Sequence, residues 1–286
     1  MYKIIRKEIL SDTIKLMVVE APHVVRKAEP GQFVIVRINE TGERIPLTIA
    51  DYDREQGTIT IVFQEVGKST KHLGTLQPGD EISTVAGPLG HPTEIQKYGT
   101  IICAAGGVGI APMYPIARAL KNAGNTVISI IGVRSRDFLF WEDKMRYVSD
   151  ELVVCTDDGS YGRKGVVTEP LKELLASRRI ARVWAIGPGV MMKFVSLSTR
   201  DFNVPTMVSL NTIMVDGTGM CGGCRVLLND GAKFVCTDGP EFDAHKVDWD
   251  NLLSRYQIYK KEEILSFETW KHKCSSDTDC HCEGKR

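Results

Sequence analysis

The sequence predicts a β-rich first third followed by an alternating α/β domain, with a glycine- and cysteine-rich segment at the end. Three observations carry this. Short β-branched or alternating runs recur at 13–19, 32–38, 58–64 and 81–85, separated by turn residues such as Glu29-Pro30-Gly31, Asn39-Glu40-Thr41-Gly42 and Gln77-Pro78-Gly79-Asp80. From about Gly99 the rhythm changes to strand, helix, strand. Beyond about Pro205 that rhythm stops, and Cys221, Cys224 and Cys236 fall among glycines.

The runs of the first part are spaced as in a barrel or sandwich, with one short helix at 69–76. In the second part, 100–104 is an apolar β run. Segment 110–122 is a helix with Ile116, Ala117 and Leu120 on one face and Gly124 past its end. Segments 127–133, 151–155 and 183–186 are strands and 167–176 a helix, which implies a mostly parallel, doubly wound sheet.

The totals exclude several classes. The chain of 286 residues is 43% hydrophobic, enough for real cores. Its 36 basic and 36 acidic residues balance, so the basic excess of a nucleic-acid binder is missing. No apolar run reaches the ~18–20 residues that span a bilayer. The charged start, Met1-Tyr2-Lys3-Ile4-Ile5-Arg6-Lys7-Glu8, lacks a signal-peptide core. The expected location is therefore cytoplasmic. Clustered cysteines in such a reducing compartment are more often metal ligands than disulfides. Cys103 and Cys155 instead sit singly in apolar strand-like runs.

Ala105-Gly106-Gly107-Val108-Gly109-Ile110-Ala111-Pro112 follows a strand and opens a helix. Glycines let the backbone approach a phosphate, and the helix N-terminus offers it free N–H groups. Pro112 fits the first helical turn, where no N–H bond is lost. The plainer reading is a tight strand-to-helix turn. Two later loops, Thr156-Asp157-Asp158-Gly159-Ser160 and Gly187-Pro188-Gly189-Val190-Met191, fall where a doubly wound sheet holds its ligand. Either is also an ordinary turn former.

Arg44-Ile45-Pro46-Leu47-Thr48 in the β-rich part offers an arginine to clamp a pyrophosphate and an extended strand to lie against a planar ring. Gly67-Lys68-Ser69-Thr70 can meet a second phosphate. A surface arginine and a capped helix are the simpler account.

The strongest signal is Asp216-Gly217-Thr218-Gly219-Met220-Cys221-Gly222-Gly223-Cys224, with Cys236 after eleven intervening residues. Plant-type [2Fe–2S] sites use C-x4-C-x2-C and a later fourth cysteine. Here Asp216 stands at the first position of that pattern. Two alternatives stay open: Asp216 as a turn residue only, or zinc held by the three cysteines and a fourth ligand. The tail carries His272, Cys274, Cys280, His281 and Cys282, and reads as a polar, mobile end rather than a second metal site. His23, His72, His91 and His245 pair with no nucleophile in the sequence, so no hydrolase constellation is expected.

The order of these segments resembles the ferredoxin–NADP reductase superfamily, in its branch with a C-terminal [2Fe–2S] loop. That branch includes the electron-transfer subunits of dihydroorotate dehydrogenase B. It also includes the small subunits of NADH-dependent reduced ferredoxin:NADP oxidoreductases and of sulfide dehydrogenases. Ser209-Leu210-Asn211, the stretch from Met214 to Arg225 and Cys236-Thr237-Asp238-Gly239-Pro240-Glu241-Phe242-Asp243 are similar to the latter pair. The dihydroorotate branch has cysteine at the place of Asp216.

The resemblance implies an FAD-binding β-barrel over 1–98, an NAD-binding α/β domain over 99–205 and a [2Fe–2S] segment over 206–286. FAD is implied at Arg44, Pro46, Leu47, Thr48, Gly67, Lys68, Ser69 and Thr70. NAD(H) is implied at Gly106, Gly107, Gly109, Pro112, Arg134, Asp157, Asp158, Gly159, Gly187, Pro188, Gly189 and Met191. The cluster ligands would be Asp216, Cys221, Cys224 and Cys236. Ile186 stands where many relatives have cysteine near the nicotinamide. Hydride transfer needs positioning more than an acid or base, so no catalytic side chain is expected. Ser135 and Arg136 follow the second strand, where a 2′-phosphate is met in NADP enzymes, but the family points to NAD. It also implies a heterodimer with a larger flavin and [4Fe–4S] subunit, through which ferredoxin and NADP(H) are reached in electron bifurcation. The rival readings are a dihydroorotate dehydrogenase or sulfide dehydrogenase subunit and, outside enzymes, a zinc-stabilised binding or regulatory protein.

Overall fold

The computed structural model describes residues 1–276, with side chains as far as residue 272. Of the candidate tail ligands, Cys280, His281 and Cys282 lie outside the described residues, as does the side chain of Cys274.

The first part is one antiparallel sheet of β1 (Tyr2–Ile9), β2 (Ile14–Glu20), β3 (Phe33–Arg37), β4 (Ile45–Asp53), β5 (Thr58–Gln64), β6 (Glu81–Ile82) and β7 (Thr84–Leu89), with helices α1 (Pro22–Val25) and α2 (Lys68–Thr75). Its order is β6-β1-β2-β5-β4-β3-β7. The two edge strands are separated in sequence only by Ser83, so the sheet must curl until its edges almost meet, and a barrel results. Alternate side chains fill it: Ile4, Met17, Val19, Ile49, Ile59 and Ile61 are all essentially solvent-free. Pro46 fits inside β4 because β5 pairs with that strand only from Ile49 onward, so its missing N–H breaks no ladder on that side.

The second sheet contains β8 (Thr100–Gly106), β9 (Thr126–Val133), β10 (Glu151–Thr156), β11 (Arg163–Lys164), β12 (Arg182–Ile186) and β13 (Thr206–Ser209), joined by α3 (Ile110–Asn122), α4 (Glu142–Tyr147), α5 (Thr168–Ser177) and α6 (Gly189–Arg200). The order β11-β10-β9-β8-β12-β13 reverses at β8, as in doubly wound sheets. Both faces are covered, which is why the strands read as unbroken apolar runs such as Ile101-Ile102-Cys103-Ala104-Ala105.

The last segment builds a hairpin of β14 (Arg225–Leu228) and β15 (Gly231–Phe234), then α7 (Val235–Asp238), β16 (Glu241–Asp243), α8 (Trp249–Arg255) and α9 (Lys260–Ser276). Strand β16 adds antiparallel to β13, so this segment is hydrogen-bonded into the second sheet. Met214, Cys224, Val226, Cys236, Phe242, Trp249 and Leu252 share one core with α5 and α6. On the opposite face, α3 packs with Ile14, Leu16, Ala50 and Val62 of the barrel. The second sheet is thus fixed between barrel and cysteine segment.

Candidate functional site: a dinucleotide crevice, a phosphate cradle and a cysteine loop

The crevice forms where β8 and β12 end. Gly107–Gly109 makes a single tight turn before α3, and Gly107 has φ +55°. A Cβ on Gly109 would stand 2.3 Å from the carbonyl oxygen of Ile186, and one on Gly106 would meet Met191 and Pro188. The 106–109 and 187–191 loops therefore touch backbone to backbone, which only glycine allows. Pro112 lies in the first turn of α3. A second group forms at the ends of β9 and β10. The Asp157 N–H donates to the Val133 carbonyl at 3.1 Å, and the Asp158 N–H donates to that of Arg134 at 3.2 Å. Gly159, with φ +79°, turns the loop back, and Ser160 Oγ accepts from the Arg136 N–H at 2.8 Å. The exposed guanidinium of Arg136 lies over the Tyr161 ring.

On the barrel, Arg44 immediately precedes β4, and Pro46, Leu47 and Thr48 run along it opposite β3. The 67–70 loop closes on itself: Thr70 Oγ1 accepts from the N–H groups of Val66 and Gly67 at 3.0 and 3.1 Å. Sequence reasoning missed Glu43. Its carboxylate pairs with Lys68 Nζ at 2.8 Å and accepts from the Ser69 hydroxyl. That contact ties the loop to the residue before Arg44. Nothing in the local sequence marks the pairing, because the partners are twenty-five residues apart.

The cysteine loop brings all four predicted donors into one region, as two pairs. Asp216 Oδ1 lies 3.5 Å from Cys221 Sγ, and Cys224 Sγ lies 3.2 Å from Cys236 Sγ. Asp216 organises the loop. Its Oδ1 accepts from the Thr218 N–H at 3.0 Å, and its Oδ2 accepts from Met220 and Cys221 at 2.9 and 2.8 Å. These N–H groups, Thr218 first, hold the carboxyl below the usual carboxylate range. The Gly223 N–H faces Cys221 Sγ, and that of Cys236 faces Cys224 Sγ. Cys224 and Cys236 are buried and Cys221 is exposed. Burial, then the Cys224 thiol, pushes the Cys236 thiol up to about 12.

Among the described residues no three His, Cys, Asp or Glu side chains converge on one point, as a single tetrahedral ion would require. Two pairs suit a two-iron centre, where each iron takes two protein ligands. Oδ1 of Asp216, which takes one backbone N–H, retains a lone pair on the side of Cys221, whereas Oδ2 is filled by two. The donor set therefore fits the cluster. Cys103 and Cys155 are buried strand residues, and burial raises their thiols to about 12 and about 11.

A Thermotoga maritima protein described as a dihydroorotate dehydrogenase B (NAD(+)) electron transfer subunit homolog is 48% identical over 266 residues, 93% of this chain and 94% of that protein. This chain belongs to the family of dihydroorotate dehydrogenase B electron-transfer subunits and their homologues. Another member, the electron transfer subunit from Desulforamulus reducens, is 35% identical over 81% of this chain and 91% of that protein. The family models agree in detail: residues 1–93 match the oxidoreductase FAD-binding domain, and 211–248 match the iron–sulfur cluster binding domain of dihydroorotate dehydrogenase B. Among solved structures, one of an NADH-dependent reduced ferredoxin-NADP oxidoreductase is 47% identical, with a TM-score of 0.90 over 95% of this chain and 98% of that one. A ferredoxin NADP+ reductase from Neisseria gonorrhoeae shares the fold at 18% identity and a TM-score of 0.59, over 70% of this chain and 90% of that one. This electron-transfer family member is thus an FAD-binding, iron–sulfur oxidoreductase of the ferredoxin reductase fold.

Proposed function

We propose that this chain moves electrons between NAD(H), FAD and a [2Fe–2S] cluster as the small subunit of an electron-bifurcating NADH-dependent reduced ferredoxin–NADP oxidoreductase. The observation that carries the reading is the likeness to the solved oxidoreductase of that name along nearly the whole chain. When bound, the flavin supplies two-electron exchange with a nicotinamide and the cluster supplies one-electron exchange.

The chain's own residues bind and orient. Arg44 and the 67–70 loop hold the flavin's phosphates, with Pro46, Leu47 and Thr48 along β4 beside its ring. The glycines at 106, 107 and 109, with Pro112, receive the dinucleotide's phosphates at the start of α3. Gly187, Pro188, Gly189 and Met191 border the nicotinamide end, while Arg134, Asp157, Asp158 and Gly159 border the adenosine end. Asp216, Cys221, Cys224 and Cys236 would hold the cluster, with Cys221 the exposed cysteine of the set. No helix of the described residues is long and apolar enough to cross a membrane, which suits work in the cytoplasm. The partner is a larger flavin and [4Fe–4S] subunit that handles ferredoxin and NADP(H). A second reading, the electron-transfer partner of a dihydroorotate-oxidising flavoprotein, is favoured by the family model over 211–248.

Anaerobic purification from the native source tests both. About one FAD and about two irons per chain are expected, with a larger iron–sulfur flavoprotein in the complex. A dihydroorotate-oxidising partner would select the second reading. Zinc without flavin would end both.

A further inference from the structure

Resting on the cluster reading above, we propose that Arg255 is a positioning residue whose fixed positive charge braces the cysteine loop and raises the reduction potential of the cluster. The guanidinium Nη2 donates to the carbonyl of Gly223 at 3.0 Å, and the contact is partly buried. Gly223 lies between Cys221 and Cys224, and its own N–H faces Cys221 Sγ. One residue, through its carbonyl on one side and its N–H on the other, therefore links the arginine to the sulfur of a ligand. Among the described residues Arg255 makes no ion pair, so no carboxylate cancels its charge.

The support beneath Arg255 is rigid. It occupies the last turn of α8, whose N-cap Asp248 accepts from the Asn251 N–H at 3.0 Å. Trp249 and Leu252 are buried, and the Trp249 indole donates to the Ala244 carbonyl at 3.0 Å. Asp250 pairs with Lys193 of α6 at 2.6 Å. Leu253 and Tyr256 press on Gly189, where a Cβ would meet them at 2.9 and 2.7 Å. A single short helix thus touches the 187–191 loop on one side and the cysteine loop on the other.

The plainer account of a basic residue in a last turn is its attraction to the helix dipole. That account explains neither the bond to Gly223 nor the reach across thirty-two residues. The electrostatic consequence follows from ligand charge. Three thiolates and a carboxylate leave a two-iron centre net negative, and one-electron reduction adds another negative charge. A nearby guanidinium charge favours the reduced form.

The test is an EPR-monitored potentiometric titration of the holoprotein against Arg255→Gln and Arg255→Lys. Glutamine can still donate to Gly223 but carries no charge. Its potential is expected to fall, shifting the reduction equilibrium about tenfold toward the oxidised state, ~59 mV for one electron. Lysine is expected to stay near wild type. An unchanged potential in Arg255→Gln with full iron content overturns the proposal. If Arg255→Gln assembles no cluster, Arg255→Lys decides: a wild-type potential supports the charge, and failure to assemble assigns Arg255 to bracing alone. Absence of iron in the wild type would instead remove the cluster reading itself.

Discussion

The Thr93 hydroxyl donates to Oε1 of Glu241 at 2.6 Å and so joins the connection between barrel and second sheet to the strand that follows Cys236. Thr93 also bonds back to the barrel, its N–H donating to the Pro30 carbonyl at 2.9 Å. Glu241 lies beside a cavity of about 120 Å³ lined by His91, Glu94, Arg182, Trp184 and Met207. The Trp184 indole N–H lies close to this carboxyl without making a hydrogen bond of normal geometry. Three parts of the fold meet at one carboxylate.

That meeting makes stability pH-dependent. Burial pushes Glu241 up to about 7, while Thr93, Trp184 and Arg182 pull the other way. Between its ordinary value and about 7 the folded state binds the proton that the unfolded state has released, so stability falls as pH rises through that window and is flat above it. Glu241→Gln, neutral at every pH, is expected to be more stable than wild type at pH 8 and to match it near pH 5. The difference is ~1–3 kcal/mol, since one pKa unit is about 1.4 kcal/mol and the residue is only partly enclosed. Urea unfolding of the holoproteins at both pH values reads it. A difference that does not change with pH would sink the idea.

The dinucleotide turn predicts two glycine substitutions of different kind. At Gly109 an added Cβ meets the Ile186 backbone, which cannot move aside. Gly109→Ala is expected to cost about 1–3 kcal/mol and to raise the KM for NADH. At Gly107 there is open space but φ is +55°, so Gly107→Ala should cost only ~1–2 kcal/mol of backbone strain. Thermal unfolding ranks the two; the reverse order would contradict the packing of the 106–109 and 187–191 loops.

Much of this architecture was legible because period and punctuation agree. Helix α3 runs over the expected 110–122 with Ile116, Ala117 and Leu120 inward, and β8, β9, β10 and β12 fall within two residues of their apolar runs. Helix α2 starts at Lys68 rather than Ser69. The 81–85 run is broken at Ser83, where the chain crosses from one sheet edge to the other, a turn that no Gly or Pro marks. Helices α8 and α9 were hidden by charge, because α9 is polar nearly all round and lacks an apolar stripe. The cysteine loop was readable from spacing. Its supports, Arg255 and the Asp216 backbone bonds, were not, since contacts between distant segments leave no periodic trace.

The phosphate cradle separates a ligand from a brace. Arg44 is exposed and precedes β4, free to meet an anion, so Arg44→Ala should weaken FAD binding about 10- to 100-fold, the worth of a charge-assisted contact. Glu43→Gln loses the ion pair to Lys68, whose partners are 31% and 52% exposed. An exposed pair is worth at most about 1 kcal/mol, so flavin affinity should change by no more than about fivefold. Flavin release followed by fluorescence compares them, and a larger effect at Glu43 than at Arg44 would reverse the assignment.

Asp216 is the sharpest test of the metal site, because two roles share one carboxylate. As a loop organiser it accepts three backbone N–H groups; as a ligand it would complete the pair with Cys221. Asp216→Ala removes both, and iron content is expected to fall below about half of the two-iron complement. Asp216→Cys restores a donor without the N–H acceptors. If ligation dominates, it recovers the iron, with an EPR spectrum displaced toward an all-thiolate centre. If loop organisation dominates, Asp216→Cys should be as poor as alanine, while Asp216→Asn, which keeps an acceptor oxygen, should hold iron with the wild-type spectrum. The wild-type spectrum surviving in Asp216→Ala would leave Asp216 as a turn residue and require another fourth donor beside Cys221.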